Sequence, residues 1–342
     1  MADHELLSRA RRIAAELLLP AALAVDAADR VPETHFDALA AAGLYGLAGP
    51  VQAGGLGADP ATFCGVIEIM ASGCLAPAFV WLQHHSAVRA LASTANAELS
   101  GQWLGPLCRG ERRAGVALAG ARPGPPLLRA WPVPGGFCFD GTAPWVTGWG
   151  EIDVLYTVAR QAGGGLVAAL VPAVAARSLA AERLSLVAVN ASRTVELSFD
   201  RHFVPSEQVS GTIAEADWLA ADAAGLRPNG SLSLGVAARC CEFIRAAGRT
   251  ESADVLAGQL AAAREALDQA GVVGLPAARA TAADLAFRAA GALVTLSGSR
   301  SVRTGQHPQR LAREALFLLV FAARPAIREH LASLLSGPPA SE

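Results

Sequence analysis

The sequence predicts an α+β fold in which two helical units flank a β-rich middle unit. Apolar residues recur at helical spacing in the first third of the chain, and short β-rich runs with Gly and Pro punctuation follow. Alanine-rich helical periodicity then returns. A chain of 342 residues is long enough for two or three packed units with a substantial core. The predicted units cover residues 1–112, 113–211 and 212–342.

The composition excludes several classes of protein. Hydrophobic residues make up 52% of the chain and the mean hydropathy is +0.35, yet no run of about 18 uncharged apolar residues predicts a membrane span. The N-terminal segment MADHELLSRARR is charged and has no apolar stretch before a cleavage site. A net charge of -2 provides no attraction for nucleic acid or for an anionic membrane. We therefore expect a cytoplasmic protein that binds neither.

All 28 basic residues are arginine, because the chain contains no lysine. This excludes Schiff-base chemistry, pyridoxal phosphate attachment and a Walker-type phosphate lysine. The cysteines lie in apolar surroundings without CxxC spacing, which favours reduced, packed thiols over disulfides or zinc ligands. They are Cys64, Cys74, Cys108, Cys138, Cys240 and Cys241.

The N-terminal unit contains a glycine-rich loop and an adjacent histidine pair. The loop at 50–57 follows no strand and precedes no Lys-Ser/Thr motif, so we interpret it as a turn and not as a phosphate cradle. His84 and His85 lie on a helix predicted at 78–97. Adjacent helical residues point about 100° apart, so the two rings cannot share one metal ion. Either one ring is solvated and the other is hydrogen-bonded inside the bundle, or the pair supplies an acid/base group or a polar lining.

The middle unit is organised around residues 137–160, FCFDGTAPWVTGWGEIDVLYTVAR. Its first apolar residues predict a strand that runs into an Asp140-Gly141 turn, and the run VLYTV completes a hairpin. Trp145 is either a core aromatic that caps the sheet or part of a ligand-binding face. Residues 193–200 alternate between apolar and polar side chains, which is typical of a half-buried antiparallel sheet.

Four alanine-rich helices are predicted in the C-terminal unit, and the last is broken near Pro325. Small residues let such helices approach closely, so we expect the four to form a bundle. Arg310 and Arg313 lie on the last helix, where we favour ion pairing with Glu314 or Glu329 over ligand contact.

Three segments resemble the acyl-CoA dehydrogenase superfamily. GTAPWVTGWGEIDVLYTVAR is similar to the family segment GTKxWITNGxxADxxxVxAR, and LSFDRHFVPSEQVSG is similar to the family's exit from its β-domain. VTLSGSRSVRTGQHPQRLAREALFLLVF is similar to part of the family's C-terminal bundle. The resemblance covers essentially the whole chain and implies an N-terminal helical domain, a small middle β-barrel and a C-terminal four-helix bundle. It also implies a homodimer or homotetramer, with a hetero-oligomer as the alternative.

The resemblance implies a flavin site as well. In the family, a Trp and a Thr of the middle segment contact the flavin isoalloxazine ring. The family's TEPGAGSD loop reads ALAGARPG here, which loses the Thr and Glu side chains but keeps backbone that can face a flavin edge. FAD is the implied cofactor, and FMN or no flavin are the alternatives. The implied cofactor-binding positions are Trp145, Thr147, Leu118, Ala119, Ser297 and Gly298.

The departures from the family concern the catalytic base. Alignment of the C-terminal segment places Phe321 on the Tyr and Ala322 on the catalytic Glu of the family's YEGT motif. The family's alternative base position falls near 229–231, where no carboxylate occurs, and its RxxFG flavin motif is not visible. The candidate replacement bases are His85, Glu242 and Glu314. The implied substrate-binding residues are His84, Arg122, Phe321 and Ala322.

These observations lead to three functional hypotheses. The first is a flavin-dependent oxidoreductase that acts on an acyl-thioester or a related small metabolite with a non-standard base. Dehydrogenation of a thioester requires a base within about 3 Å of the α-carbon. The second is a reduced-flavin monooxygenase or N-oxygenase on the same fold, which needs no α-proton abstraction. The third is a flavin-free or non-catalytic partner subunit. No metal ion is expected in any of them.

Overall fold

A computed structural model describes residues 2–337. The N-terminal part of this range is helical, with a π-helical turn at Ala14–Leu18 and short 3-10 turns between some of the helices. Within the described range, no helix is long and apolar enough to cross a membrane. The N-terminal helices are α1 (Ala2–Ile13), α2 (Leu19–Ala27), α3 (Glu33–Ala41), α4 (Pro60–Gly73), α5 (Leu75–Ser93) and α6 (Ala97–Arg109).

The predicted helix at 78–97 is wrong at both ends. Helix α5 begins at Leu75 and ends at Ser93. The chain then turns, because Oδ1 of Asn96 accepts a hydrogen bond from the backbone N–H of Leu99 at 3.0 Å and caps the start of α6. The sequence pattern joined the end of one helix to the beginning of the next.

The glycine-rich loop is a turn, as predicted. Gly54 and Gly57 have left-handed φ angles of 79° and 54°. A Cβ atom at Gly55 would lie 2.3 Å from the backbone of Gly49, so only glycine fits there. The N–H of Leu56 donates to the carbonyl oxygen of Gly46 at 2.8 Å. The glycines therefore let two stretches of the N-terminal chain approach each other closely.

The middle part is one eight-stranded sheet with the strand order β6-β7-β3-β2-β4-β5-β8. Strand β1 lies off this path and pairs in parallel with β4. The strands are β1 (Ala114–Ala117), β2 (Leu128–Val133), β3 (Gly136–Val146), β4 (Val154–Arg160), β5 (Leu166–Pro172), β6 (Leu179–Arg183), β7 (Val195–Pro205) and β8 (Val209–Ile213).

The expected hairpin turn at Asp140-Gly141 does not form. Strand β3 runs through these residues, and the tight turn lies at 134–135, between β2 and β3. Gly141 has a φ of 121°, and a Cβ atom there would lie 2.1 Å from the carbonyl oxygen of Leu127. Glycine at this position serves the close approach of a neighbouring chain segment, which sequence alone does not distinguish from a turn.

Strands β4 and β5 are buried on both faces. Leu155 and Val167 contribute to a core enclosed by the sheet, whereas Tyr156 and Leu166 pack with residues of α5 and α6. A strand covered on both faces reads as a continuous apolar run and not as an alternation. This double burial fixes the sheet against the N-terminal helices.

The C-terminal part is helical, and the predicted break near Pro325 is confirmed, because this residue begins the last helix. Four longer helices, α8 to α11, are flanked by α7 and α12. The helices are α7 (Glu215–Ala224), α8 (Leu226–Ala246), α9 (Thr250–Gln269), α10 (Leu275–Ser297), α11 (His307–Val320) and α12 (Pro325–Ser336).

The N-terminal and C-terminal helices share one hydrophobic core, which extends from Leu6 to Leu331. Helices α4 and α8 are in especially close contact, since a Cβ atom at Gly235 would lie 2.3 Å from the carbonyl oxygen of Glu68. The two helical parts are therefore distant in sequence but form one packed body, with the sheet attached to its side.

Arg313 of α11 links three parts of the chain. Its guanidinium pairs with Asp26 of α2, and its Nη1 donates to the carbonyl oxygen of Val187 at 2.6 Å. The predicted pairing of Arg313 with Glu314 or Glu329 is wrong. The prediction considered residues close to Arg313 in sequence, because residues three or four apart on a helix are neighbours. The observed partner, Asp26, lies 287 residues away along the chain.

Candidate functional site

Trp145 projects from the sheet at a β-bulge near the end of β3. Ala143 pairs with Leu197 and Val146 pairs with Val195, so two residues of β3 oppose one residue of β7. Trp145 has a left-handed φ of 66° and is 54% exposed. A left-handed conformation costs a non-glycine residue about 1–2 kcal/mol, and bulges often redirect side chains beside functional sites. The indole is therefore on the surface, and the interpretation of Trp145 as a core aromatic is wrong.

Thr147 follows the bulge and is buried. Its Oγ1 lies 3.1 Å from Oγ1 of Thr194, which in turn lies 2.8 Å from Oγ of Ser192. The N–H of Gly148, which has a left-handed φ of 86°, donates to the carbonyl oxygen of Ser192 at 2.8 Å. The hydroxyl of Thr147 is thus held inside the protein by the hydroxyl of Thr194, which also contacts that of Ser192.

Two of the predicted cofactor positions follow β1. Leu118 is half-buried and precedes a 3-10 turn at Ala119–Ala121, and Ala119 is buried in that turn. Arg160 of β4 holds this turn, because its Nε donates to the carbonyl oxygen of Gly120 at 2.9 Å. The Nη1 of Arg160 also pairs with Glu215 of α7 at 2.9 Å. Arg160 therefore connects the turn to the C-terminal helices.

Helix α11 ends at a turn that carries Phe321 and Ala322. Ala322 has a left-handed φ of 51°. Nη1 of Arg324 donates to the carbonyl oxygen of Ala322 at 3.3 Å, and its Nε donates to Oδ2 of Asp222 at 2.7 Å. The other oxygen of Asp222 accepts from Nη2 of Arg324. The methyl group of Ala322 cannot act as a base. Asp222 is also unsuited to this role, because both of its carboxylate oxygens accept hydrogen bonds from Arg324.

The same turn has an aromatic side. The ring of Phe79 on α5 lies 5.1 Å from that of Phe317 and 5.0 Å from that of Phe321, measured between centroids. Phe317 and Phe321 are stacked on each other at 5.6 Å. Edge-to-face and offset contacts of this kind stabilise an aromatic cluster. Phe321 therefore packs in an aromatic cluster, and its role in substrate binding stays a prediction.

Arg279 of α10 is a buried arginine beside this turn that sequence reasoning missed. It is only 1% exposed, and its Nη2 donates to the carbonyl oxygens of Leu318 at 3.1 Å and Phe321 at 3.4 Å. Within the described range, its Nη1 has no hydrogen-bond partner. Burial lowers the pKa of Arg279 to about 10. An arginine in an alanine-rich helix reads as a solvated charge, and only its flanking small residues hint at burial.

Both histidines of the adjacent pair are buried, so the expectation of one solvated ring is wrong. Nδ1 of His84 accepts a hydrogen bond from the N–H of Ala114 at 3.1 Å. His85 lies edge-on to the rings of Phe63 and Trp81, and neither of its nitrogens has a partner among residues 2–337. Burial lowers the pKa of His84 to about 3 and that of His85 well below its usual value.

Each of the two candidate carboxylate bases pairs with an arginine. Glu242 is exposed and pairs with Arg239. Glu314 is buried, and its Oε1 lies 2.7 Å from Nη1 of Arg310, as predicted for a structural ion pair. Burial raises the pKa of Glu314, an effect that Arg310 opposes. Neither carboxylate contacts the turn at Ala322 among the described residues. The role of Glu242 or Glu314 as the base therefore stays a prediction.

The structure brings some of the remaining predicted positions together and separates others. Arg122 is exposed, and loss of solvent around its guanidinium and repulsion from Arg324 lower its pKa, so it lies near the turn after α11. Ser297 and Gly298 are exposed at the end of α10. They lie about 27 Å along this helix from Arg279, at about 1.5 Å per residue.

The Trp145 segment fits a flat aromatic cofactor in part. The exposed indole offers a face for stacking, and the left-handed glycine at 148 permits a close approach of the backbone. The hydroxyl of Thr147 is engaged by Thr194. A flavin at this segment would therefore be held by ring stacking and backbone groups, unless the hydroxyl of Thr147 turned away from its present partner.

Comparison of the sequence with known proteins found a family-model match and a curated relative. Residues 2–111 match the family model described as acyl-CoA dehydrogenase, N-terminal domain. Benzylmalonyl-CoA dehydrogenase from Aromatoleum aromaticum is 29% identical over 205 residues, which are 57% of this chain and 53% of that protein. The chain therefore spans about half the length of this curated relative.

Solved structures resemble nearly the whole chain. Butyryl-CoA dehydrogenase from Megasphaera elsdenii has a TM-score of 0.85 at 17% identity, covering 97% of this chain and 96% of that chain. Dibenzothiophene monooxygenase from a Paenibacillus species has a TM-score of 0.81 at 18% identity, covering 96% of this chain and 95% of that chain. At these identities the likeness shows the fold and not the reaction.

The architecture, with helices on either side of a middle sheet, is the acyl-CoA dehydrogenase fold. The match of residues 2–111 to the N-terminal domain of the acyl-CoA dehydrogenase family, together with the likeness to benzylmalonyl-CoA dehydrogenase, supports the resemblance to this superfamily.

Proposed function

We propose that this chain is a flavin-dependent oxidoreductase that acts on an acyl-thioester or a related small metabolite. The observation that carries this proposal is the exposed indole of Trp145, held on a β-bulge at a left-handed φ of 66°. A tryptophan that only packs in the core has no need of a strained left-handed backbone. A tryptophan that stacks on a ligand needs its ring accessible to that ligand. The curated relative is named for an acyl-CoA substrate, which supports the substrate class.

The chain's own residues would bind and orient the cofactor and substrate. The indole of Trp145 would stack on the isoalloxazine, and the backbone at Leu118 and Ala119 would face its edge. The aromatic cluster at Phe321 would contact an acyl chain. A bound flavin supplies a hydride acceptor and, when reduced, electrons for dioxygen. FAD and FMN are both compatible with these contacts.

A second candidate reaction, monooxygenation, is favoured by the state of the carboxylates. Dehydrogenation needs a base within about 3 Å of the α-carbon. Among the described residues, Glu242, Glu314 and Asp222 are held by arginines, and His85 is enclosed by aromatic rings. Oxygen insertion avoids this requirement. One oxygen atom of dioxygen enters the substrate, the other leaves as water, and two electrons come from reduced flavin.

The full chain is to be incubated separately with FAD and FMN, and flavin uptake followed by fluorescence quenching. A bound flavin that is bleached anaerobically by an acyl-CoA supports dehydrogenation. A flavin that must be reduced externally and then consumes oxygen with substrate supports monooxygenation. A protein that takes up neither flavin contradicts both candidates and leaves the non-catalytic partner hypothesis.

Ala322→Glu tests the assignment of the base position. If the turn after α11 faces the reacting carbon, the new carboxylate is expected to confer or increase anaerobic bleaching by an acyl-CoA. Ala322→Gln has nearly the same shape without the basic group and serves as the control. Equal bleaching by the two variants would show that Ala322 is not at the site of proton removal.

A further inference from the structure

Arg279 is a buried cation without a counter-ion among residues 2–337. Its described partners are two backbone carbonyl oxygens, those of Leu318 and Phe321, and its Nη1 has no partner within residues 2–337. Arg310, the other arginine of comparable burial, is paired with Glu314. Charged side chains are almost never fully buried without a partner, because an isolated charge loses its hydration. The position of Arg279 is therefore incomplete in the protein alone.

The carbonyl groups at the end of α11 offset only part of this charge. The end of a helix carries roughly half a negative elementary charge. Arg279 brings a full positive charge to it, and Arg122 lies near the same turn without an ion pair among the described residues. Arg324 is also present, but Asp222 neutralises it. The surroundings of Ala322 are therefore positive, where the superfamily pattern has a carboxylate.

We propose that the turn at Phe321 and Ala322 recognises a free carboxylate on the substrate, with Nη1 of Arg279 as the donor. The inference deepens the proposed function, because it assigns a substrate class to the same site. The expected ligand is a thioester whose acyl group carries a second, ionised carboxyl group. Ala322 directly follows Phe321, whose carbonyl oxygen accepts from Nη2 of Arg279, and its methyl group carries no charge that could neutralise the guanidinium.

Arg279 remains protonated at neutral pH even though burial lowers its pKa to about 10. A carboxylate bound at Nη1 would favour the charged form and raise this pKa again. The pairing would also remove the cost of the unmatched buried donor. Both effects make the anionic ligand more favourable than a neutral one of the same shape.

The test compares malonyl-CoA with isovaleryl-CoA, in which an isopropyl group replaces the planar carboxylate. Binding of each to the full chain is measured by isothermal titration calorimetry. Wild type is expected to bind malonyl-CoA at least about tenfold more tightly, because a hydrogen bond to a charged group contributes about 1.5–3 kcal/mol. Equal affinities in wild type would overturn the proposal.

Arg279→Gln keeps donors for the carbonyl groups of α11 but removes the charge, and is expected to lose the preference. Arg288→Gln, on the exposed side of the same helix, is the matched control and is expected to keep it. A preference that persists in Arg279→Gln contradicts the assignment. If that variant does not fold, Arg279→Lys is used, with a loss of at least about threefold expected because an ammonium lacks the planar fork of the guanidinium. An unchanged preference in Arg279→Lys likewise contradicts it.

Flavin uptake is measured on the same samples. A protein that prefers malonyl-CoA but takes up no flavin would retain the carboxylate site and lose the redox assignment. A protein that takes up flavin but shows no preference for malonyl-CoA would keep the redox assignment and lose the carboxylate site. The two proposals therefore fail separately.

Discussion

Nη1 of Arg310 lies 2.7 Å from Oε1 of Glu314, and both side chains are almost fully buried on α11. Burial opposes the charge of Arg310, but Glu314 raises the pKa of Arg310 overall, so Arg310 stays protonated. Removing one partner of a buried ion pair leaves the other charge uncompensated and typically costs about 3–5 kcal/mol. We expect Glu314→Ala to lower the free energy of unfolding in urea by this amount.

The double variant Arg310→Met/Glu314→Leu is the control for this prediction. Apolar side chains of similar volume often replace a buried pair without loss of stability. The double variant is therefore expected to be more stable than Glu314→Ala. If Glu314→Ala unfolds at the same urea concentration as wild type, the pair makes no contribution and the prediction is wrong.

The buried histidines predict a loss of stability in acid. Burial lowers the pKa of His84 from its usual 6.5 to about 3, and that of His85 is also well below 6.5. Between pH 6.5 and about 3 the unfolded chain therefore binds more protons than the folded chain. The free energy of unfolding should fall as the pH falls through this window. Urea unfolding at several pH values measures the slope.

His85→Phe isolates the histidine contribution from that of the carboxylates. Phenylalanine is expected to fit beside Phe63 and Trp81, which already surround this ring. The slope should decrease by up to about 1.4 kcal/mol per pH unit, the value for one proton. A variant with the slope of wild type would mean that His85 is protonated without opening the fold.

Trp145 is expected to contribute to flavin affinity through its ring. Aromatic stacking contributes about 0.5–1.5 kcal/mol beyond buried area, so Trp145→Ala should raise the flavin dissociation constant roughly three- to tenfold. Trp145→Phe should retain part of the affinity. Trp131→Ala removes another exposed indole, on β2, and should have no effect. Equal effects of the two alanine variants in fluorescence titrations would place the flavin elsewhere or nowhere.

The left-handed backbone at Ala322 predicts an unusual sign for a glycine substitution. A φ of 51° costs alanine about 1–2 kcal/mol and glycine almost nothing, which outweighs the extra freedom of glycine in the unfolded chain. Ala322→Gly should raise the thermal midpoint slightly. Ala312→Gly, inside α11, should instead cost about 1 kcal/mol. Destabilisation by both changes would mean that the strain at Ala322 is already relieved by other contacts.

Local patterns predicted much of the fold because they depend on neighbouring residues. The glycine loop at 50–57 and the break at Pro325 were predicted correctly, since backbone preference decides both. The helix at 78–97 and the turn at Asp140-Gly141 were not. In those cases a cap at Asn96 and a close approach of Leu127 decided the outcome.

The candidate site was predictable only in part. Trp145 was singled out by its segment, but its exposure depends on a bulge that arises from pairing with β7. Arg279 was missed, because its neighbours in the structure are on α11, about forty residues further along the chain. Asp222 was missed for the same reason, since its partner Arg324 belongs to a different helix.

The sequence by itself determined the order of the units and the absence of lysine chemistry, and its resemblance to the family predicted Ala322 at the position of the usual base. These properties depend on residue identity and on spacing along the chain. Only the tertiary structure decided which charges are paired. Glu314 and Asp222 each pair with an arginine, whereas Arg279 contacts only backbone carbonyl groups and has no ion pair among the described residues. Burial and contact between distant segments set the energy of a charge, and neither can be read from local sequence.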